Sequence, residues 1–392
     1  MNDPLYLHTP GVICAAGADL DALRTAVFAP TPSGVAENMS VWAGHAVHLG
    51  AVRTALPSVD ALPLPARSRN NAMLLAALAQ IRPSVDAAIQ AHGAHRIGVV
   101  LGTSTSGVSE SEAALAALAR EGALPPTFDV AQQELGSPAL TLTRLLGLGG
   151  PSYVVSTACS SGAKALASGA RLIRAGLCDA VLVGGVDTLC GMTVAGFHAL
   201  DSVDPALCRP MSATRAGINI GEGAALFVLS RDPSPVRLSG YGESSDAHHI
   251  SAPEPGGRGA LAAMRAALSR AGLGPGDIGY LNLHGTATPQ NDAMESKAVA
   301  ALFGLDLPVS STKPLTGHAL GAAGAIEAAI AWLTVTGDGQ LPVHHFDGQR
   351  DADLPPIHLV SPGERLPRAP RHVMSNSFAF GGNNACLVLS HD

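Results

Sequence analysis

The 392-residue chain holds six cysteines and fifteen histidines as its candidate nucleophiles and proton carriers near neutral pH. The cysteines at 14, 159, 178, 190, 208 and 386 show no CxxC spacing. They therefore read as reduced thiols, not as a disulfide framework or a zinc site. Cys159 stands apart by context: it follows the apolar run SYVVSTA (152–158) and precedes SSGAKALASGARLIRAG (160–176). That pattern is a buried strand turning sharply into a small-residue helix. A thiol at such a turn meets unpaired N–H groups and the positive end of a helix, which lower its pKa and favour thiolate. A buried structural thiol is the competing reading for Cys159, and it is the reading assigned to the other five.

The histidines fall into similar settings. In LNLHGTATPQNDAMES (281–296) a strand delivers His284, and Asp292 and Glu295 follow in the first turn of a helix. In SSTKPLTGHALGAAGAIEAAIAWL (310–333), Lys313, His318 and Glu327 surround a Gly/Ala-rich helix start. Either imidazole alone is compatible with a packing or capping role. The pairs His248-His249 and His344-His345 lack metal-ligand spacing with carboxylates, and no metal site is expected. SNSFAFGGNNA (375–385) is a Gly-rich turn carrying Phe378 and Phe380.

The elements that must position these groups alternate along the chain. Strand-like runs are expected at 96–104, 152–158, 180–187, 279–285 and 372–380. Ala-rich helices are expected at 72–81, 111–120, 162–176, 259–272 and 321–335. Short buried strands separated by helices indicate an α/β protein with mostly parallel sheets. IGEGAALFVLS (220–230) and FGGNNACLVLS (380–390) match at Gly221/Gly381, Ala225/Ala385, Val228/Val388, Leu229/Leu389 and Ser230/Ser390. Two similar halves follow, 1–233 and 234–392, each ending on the same hairpin. Chance similarity of two Gly/Ala-rich strands is the alternative.

Composition narrows the function classes. A chain 47% hydrophobic and 14% charged has material for a large core or two fused domains. Mean hydropathy is +0.25, yet no run of about 18 uninterrupted apolar residues appears. The start, MNDPLYLHTPG, lacks a basic segment and a long apolar core, so a secretory leader is not expected. A cytoplasmic location is the default. Net charge −7 argues against general nucleic-acid binding.

Taken together, TACSSG (157–162), HGTATPQND (284–292), TKPLTGHALGAAGAIE (312–327) and SFAFGGNNA (377–385) resemble, in that order, the elongating β-ketoacyl-acyl carrier protein synthases of the thiolase-like superfamily. LVGGVD (182–187), INIGEGAA (218–225) and SSDAHHISAP (244–253) are similar to the same family, and the resemblance spans essentially the whole chain. It implies a five-layered αβαβα sandwich of two duplicated halves. It implies that Cys159 accepts an acyl chain from an acyl carrier protein and that His284 and His318 face a malonyl thioester. Lys313 would support the His pair, with Glu327 in its network, and Asp292 and Glu295 would orient the loops. The N–H groups of Cys159 and Phe380 would form the oxyanion hole, and Phe380 with Gly381 and Gly382 the gate. Thr105, Met192, Phe197 and Phe378 are placed in the acyl pocket by motif offset. No cofactor is implied, because the substrates ride on phosphopantetheine.

The resemblance also discriminates subclasses. His at 318, where starter enzymes carry Asn, implies elongation by malonyl decarboxylation, and the second catalytic Cys of thiolases is missing. The retained Cys159 sets the chain apart from chain-length-factor subunits, although such a partner-subunit role stays as the alternative. The N-terminal segment 5–23 follows the family pattern loosely, CRPMSATRAGINIGEGAA (208–225) lacks the usual acid after RP, and the variants look closer to polyene or specialised-metabolite synthases. A homodimer, or a heterodimer with a related subunit, is implied. Arg67 and Arg69 in PARSRNNAM (65–73) are candidates to meet the acidic carrier protein, or they are simply a solvated helix start.

Overall fold

The computed structural model describes residues 3–32, 34–42 and 44–391. The first half runs β1 (Tyr6–Leu7), β2 (Gly11–Cys14), α1 (Leu20–Val27), a small hairpin β3 (Ala36–Asn38) and β4 (Val47–Leu49), α2 (Arg69–His92), β5 (Ile97–Gly102), α3 (Val108–Glu121), α4 (Ser137–Leu146), β6 (Ser152–Val155), α5 (Ser161–Arg174), β7 (Ala180–Asp187), α6 (Gly191–His198) and β8 (Gly223–Ser230). The second runs β9 (Val236–Ser245), α7 (Arg258–Ala271), β10 (Tyr280–Asn282), α8 (Pro289–Phe303), β11 (Val309–Ser310), α9 (Lys313–Thr316), α10 (Leu320–Val335), β12 (His372–Ala379) and β13 (Asn383–His391). The five expected strands and five expected helices all form, within a few residues of the expected ends except α2, which is longer at both.

The strands repeat one wiring. β5 is parallel to β6 and β7, β7 is antiparallel to β8, and β8 to β2. In the second half β10 is parallel to β11 and β12, β12 is antiparallel to β13, and β13 to β9. The matching segments 220–230 and 380–390 thus end in equivalent strands, β8 and β13. The halves are not separate sheets: two-residue β1 pairs with β8 on one side and β9 on the other, making one eleven-stranded sheet.

Helices complete five layers. α2 and α4 cover the outer face of the first half, α7 and α8 lie beyond the second, and α5 and α10 are sandwiched between. Every residue of α10 from Leu320 to Val335 is buried, as its apolar sequence on all sides requires. Small residues let the central pair approach: a Cβ on Gly162 would stand 2.8 Å from the Ala325 nitrogen, and one on Gly324 would stand 2.9 Å from that of Ala163. Among the described residues, α2 alone is long and apolar enough to cross a membrane. Its apolar residues, Leu74, Leu78, Ile81 and Val85 among them, instead pack into a core cluster with β5 and β8.

Candidate active site

Cys159 sits where β6 turns into α5. Ala158 just before it has φ +50°, a conformation costly for a side-chain-bearing residue. Hydroxyls from the surrounding TACSS stitch the turn. Ser161 Oγ donates to the Ala158 carbonyl at 2.6 Å and accepts from Thr157 N at 2.9 Å, while Ser160 Oγ donates to the Thr157 carbonyl at 2.9 Å. The sulfur, His284 and His318 each offer an atom within 4.8 Å of the other two, all three residues being buried. The imidazole centroids lie 5.3 Å apart at 82°.

Each histidine is held by its backbone. Glu295 accepts from the N–H groups of His284 and Gly285 at 2.8 and 2.7 Å, and from Asn376 Nδ2 at 3.1 Å. His318 N donates to the Asn219 carbonyl at 2.7 Å, and its carbonyl accepts from Gly221 N at 2.9 Å. The first Gly-rich turn therefore pins one catalytic candidate, while the second presents Phe380. Asp292 accepts from the N–H groups of Met211 and Ala287, tying the 208–212 segment to the His284 loop.

Electrostatics follow from burial. Burial pushes the Cys159 thiol up to about 11, against the pull of Lys313 and of the N–H groups of Phe380 and Cys159 itself. The helix start does not make Cys159 a ready thiolate, because loss of water outweighs the nearby positive charge. The Phe380 and Cys159 amides both point at the sulfur. Burial also drives both imidazoles well below their ordinary range, with Lys313 adding to the effect, so each is neutral and carries one N–H. Lys313 Nζ bonds Glu327 Oε1 at 2.5 Å in a fully enclosed ion pair.

A cavity of about 380 Å³ opens onto this cluster. Phe197, Phe378 and Phe380 line it, and the Phe197 and Phe380 rings stand 5.3 Å apart. Thr286, Thr288, Gln290 and Asn291 give it a polar wall. Gly381 and Gly382 have φ +80° and +70°, so the turn after Phe380 is built on left-handed backbone.

Other expectations are corrected. Thr105 is buried outside the cavity lining, its hydroxyl spent on Asp187 at 2.9 Å. Met192 is 56% exposed on α6, turned to the surface of this chain and not into the cavity. Arg69 pairs with buried Glu222 at 2.5 Å, and Arg67 Nε donates to the Leu62 carbonyl at 2.7 Å, so each already holds a partner within the chain. Asp187 had drawn no role: it accepts from Thr103 Oγ1, Thr105 Oγ1 and the N–H groups of Ser104, Thr105 and Gly321, joining β5 and β7 to the start of α10. An acid closing the apolar run LVGGVD was its one sequence signal. Asp246, which holds Asn384 Nδ2 at 2.7 Å and donates its N–H to the Gly382 carbonyl, was likewise unassigned.

Comparison with known proteins matches this geometry. Residues 68–234 match the β-ketoacyl synthase N-terminal domain, and 236–347 match the C-terminal domain. The chain is 35% identical over 323 residues to a 3-oxoacyl-[acyl-carrier-protein] synthase 2 of Staphylococcus aureus, covering 77% of this chain and 76% of that protein. It is 34% identical over 357 residues to nodulation protein E of Rhizobium meliloti, covering 87% of each. A ketosynthase of Xenorhabdus doucetiae, solved in complex with its chain length factor, superposes with a TM-score of 0.95 at 44% identity, over 100% of this chain and 98% of the other. The chain belongs to the β-ketoacyl synthase family, with its Cys, His and His gathered in one thiolase-like fold.

Proposed function

We propose that the protein extends an acyl chain by decarboxylative Claisen condensation, both substrates arriving on acyl carrier protein. The observation that carries this is the convergence of Cys159, His284 and His318 with two backbone N–H groups on one cavity floor. A neutral imidazole beside the protonated thiol takes its proton as the sulfur attacks the acyl thioester. That proton passes to the departing carrier thiolate, leaving acyl-Cys159. Malonyl thioester then occupies the cavity and loses CO₂. The electron pair of the broken bond forms an enolate, whose oxygen accepts hydrogen bonds from the two imidazole N–H groups. The enolate carbon attacks the acyl-Cys159 carbonyl, the tetrahedral oxyanion rests on the Cys159 and Phe380 amides, and the thiolate leaves and takes from solvent the one proton the condensation consumes. No step calls for a cofactor or metal.

The likeness to a ketosynthase solved with its chain length factor supports a heterodimer with a related subunit. β6 at the sheet edge, with Tyr153 38% exposed, is a strand able to meet such a partner. Segments 1–233 and 234–392 act as one catalytic unit, because Cys159 comes from the first and both imidazoles from the second. A cytoplasmic enzyme of fatty-acid or polyene-type polyketide synthesis fits these features. The test uses the chain with its partner subunit, acyl- and malonyl-carrier protein, reading CO₂ release and intact mass. Wild type forms an acyl-Cys159 adduct and β-ketoacyl product. Cys159→Ala forms neither, and His284→Ala or His318→Ala forms the adduct but loses condensation by about 10²–10³-fold. Full condensation by Cys159→Ala ends the proposal.

A further inference from the structure

Three guanidinium groups crowd one tyrosine on the flank of the molecule. Arg171 and Arg174, from the last turn of α5, and Arg270, from the last turn of α7, hold their guanidinium carbons 5.2, 5.3 and 4.2 Å from the centre of the Tyr241 ring on β9. Arg174 Nη1 donates to the Tyr241 hydroxyl at 2.9 Å, and Arg270 donates to the Tyr241 carbonyl. Among the described residues one carboxylate answers them: Glu243, two residues along the strand, pairs with Arg171. Contact with an aromatic face orders guanidiniums without neutralising them. In a chain of net charge −7, this is a pre-ordered positive face that opposes its own folding by like-charge repulsion.

Its position ties it to the cavity. α5 starts at the Cys159 turn, and Arg171 lies about 15 Å along it from Ser161. β9 ends where Asp246 lines the cavity wall. Lys164 stands two helical turns before Arg171, on the same face of α5. Its Nζ donates to Asn383 Oδ1 at 3.0 Å, one residue past the Gly381-Gly382 turn. A line of cations therefore runs from the gate to the Tyr241 cluster.

We propose that this stripe, Lys164, Arg171, Arg174 and Arg270, docks the acidic carrier protein and aims its arm at the gate. The identity of the partner rests on the condensing function proposed above; the positive face itself does not. The test is a titration of fluorescently labelled malonyl-carrier protein by anisotropy, against the protein with its partner subunit at low ionic strength. Arg171→Glu with Arg270→Glu weakens binding about tenfold, and wild-type affinity falls with salt more steeply than that of the variant. Arg82→Glu, an exposed arginine of α2, leaves affinity unchanged. If the double reversal lowers the melting temperature, Arg171→Gln with Arg270→Gln is measured in its place and weakens binding at least threefold. Affinity within twofold of wild type in a folded variant overturns the proposal, as does salt-independent wild-type binding. Carrier binding without condensation would sink the catalytic reading and leave the docking face standing.

Discussion

Cys159 and His318 occupy equivalent places in the two halves. Each lies in the turn between an outer parallel strand and a central helix, β6 to α5 for the thiol and β11 to α10 for the imidazole. Each turn spends one side-chain-bearing residue in left-handed backbone, Ala158 at φ +50° and Leu320 at +46°. What secures the turn differs. The thiol elbow is stitched by the neutral hydroxyls of Thr157, Ser160 and Ser161. The imidazole turn is anchored by the enclosed Lys313–Glu327 ion pair. A neutral elbow places no fixed charge beside the nucleophile. A charged one puts a cation where it lowers the thiol pKa and both imidazole pKa values together. One duplicated turn thus became a nucleophile mount and the other an electrostatic mount.

Breaking the charged turn gives the largest expected effect. Lys313→Ala leaves Glu327 buried without its partner, and removing one member of a buried pair costs about 3–5 kcal/mol. Glu327 already carries one oxygen, Oε2, without a hydrogen-bond partner. Urea denaturation should show that loss, and a Lys313→Met, Glu327→Leu double variant should recover most of it while remaining inactive. Equal stability of Lys313→Ala and wild type would mean the pair anchors nothing.

This contrast also marks how far the sequence could be read. TACSSG, HGTATP, TKPLTGH and FAFGG each held a reactive residue against a local signal of strand, turn or helix start, and those signals are short-range. The partners that fix each group are not. Glu222 meets Arg69 across 153 residues, and Asp187 meets Gly321 across 134. No local pattern states such pairings, so Arg69 read as a docking group and Asp187 as nothing in particular. Thr105 and Met192 lie outside the cavity lining for a related reason: motif offset counts residues, whereas pocket lining depends on which way each side chain leaves its element. The Cys159 pKa was misread because the helix start is visible locally and the degree of burial is not.

A second, smaller difference concerns the carboxylates. Asp187 gathers four donors from the first half and Gly321 N from the second, whereas Glu295 gathers three around His284. Burial raises Glu295 from 4.5 to about 7. Between those values the folded chain keeps a proton that the unfolded chain has released, so the unfolded state binds fewer protons and stability falls as pH rises across that window. The full swing amounts to about 3 kcal/mol. Denaturation at pH 4.5 and 7.5 should show this decline, and Glu295→Gln should flatten it. An unchanged slope in that variant assigns the decline elsewhere.

The smallest effect separates the two Gly-rich turns. Gly221 is demanded by space: a Cβ there would lie 2.5 Å from the Thr316 carbonyl oxygen. Gly381 is demanded by conformation, because the nearest atom to its Cβ would be Asn383 Nδ2 at 3.6 Å while its φ is +80°. Gly381→Ala therefore fits without a clash and costs about 1–2 kcal/mol of backbone strain. That strain is relieved when the turn leaves its left-handed state, so the substitution loosens the arrangement that places the Phe380 amide on the sulfur. The expected signature is a lowered kcat with faster hydrolysis of acyl-Cys159, since water reaches a thioester whose covering turn is displaced. A variant that lost stability yet kept its acyl-enzyme lifetime would make the turn a structural hinge with no hold on the intermediate.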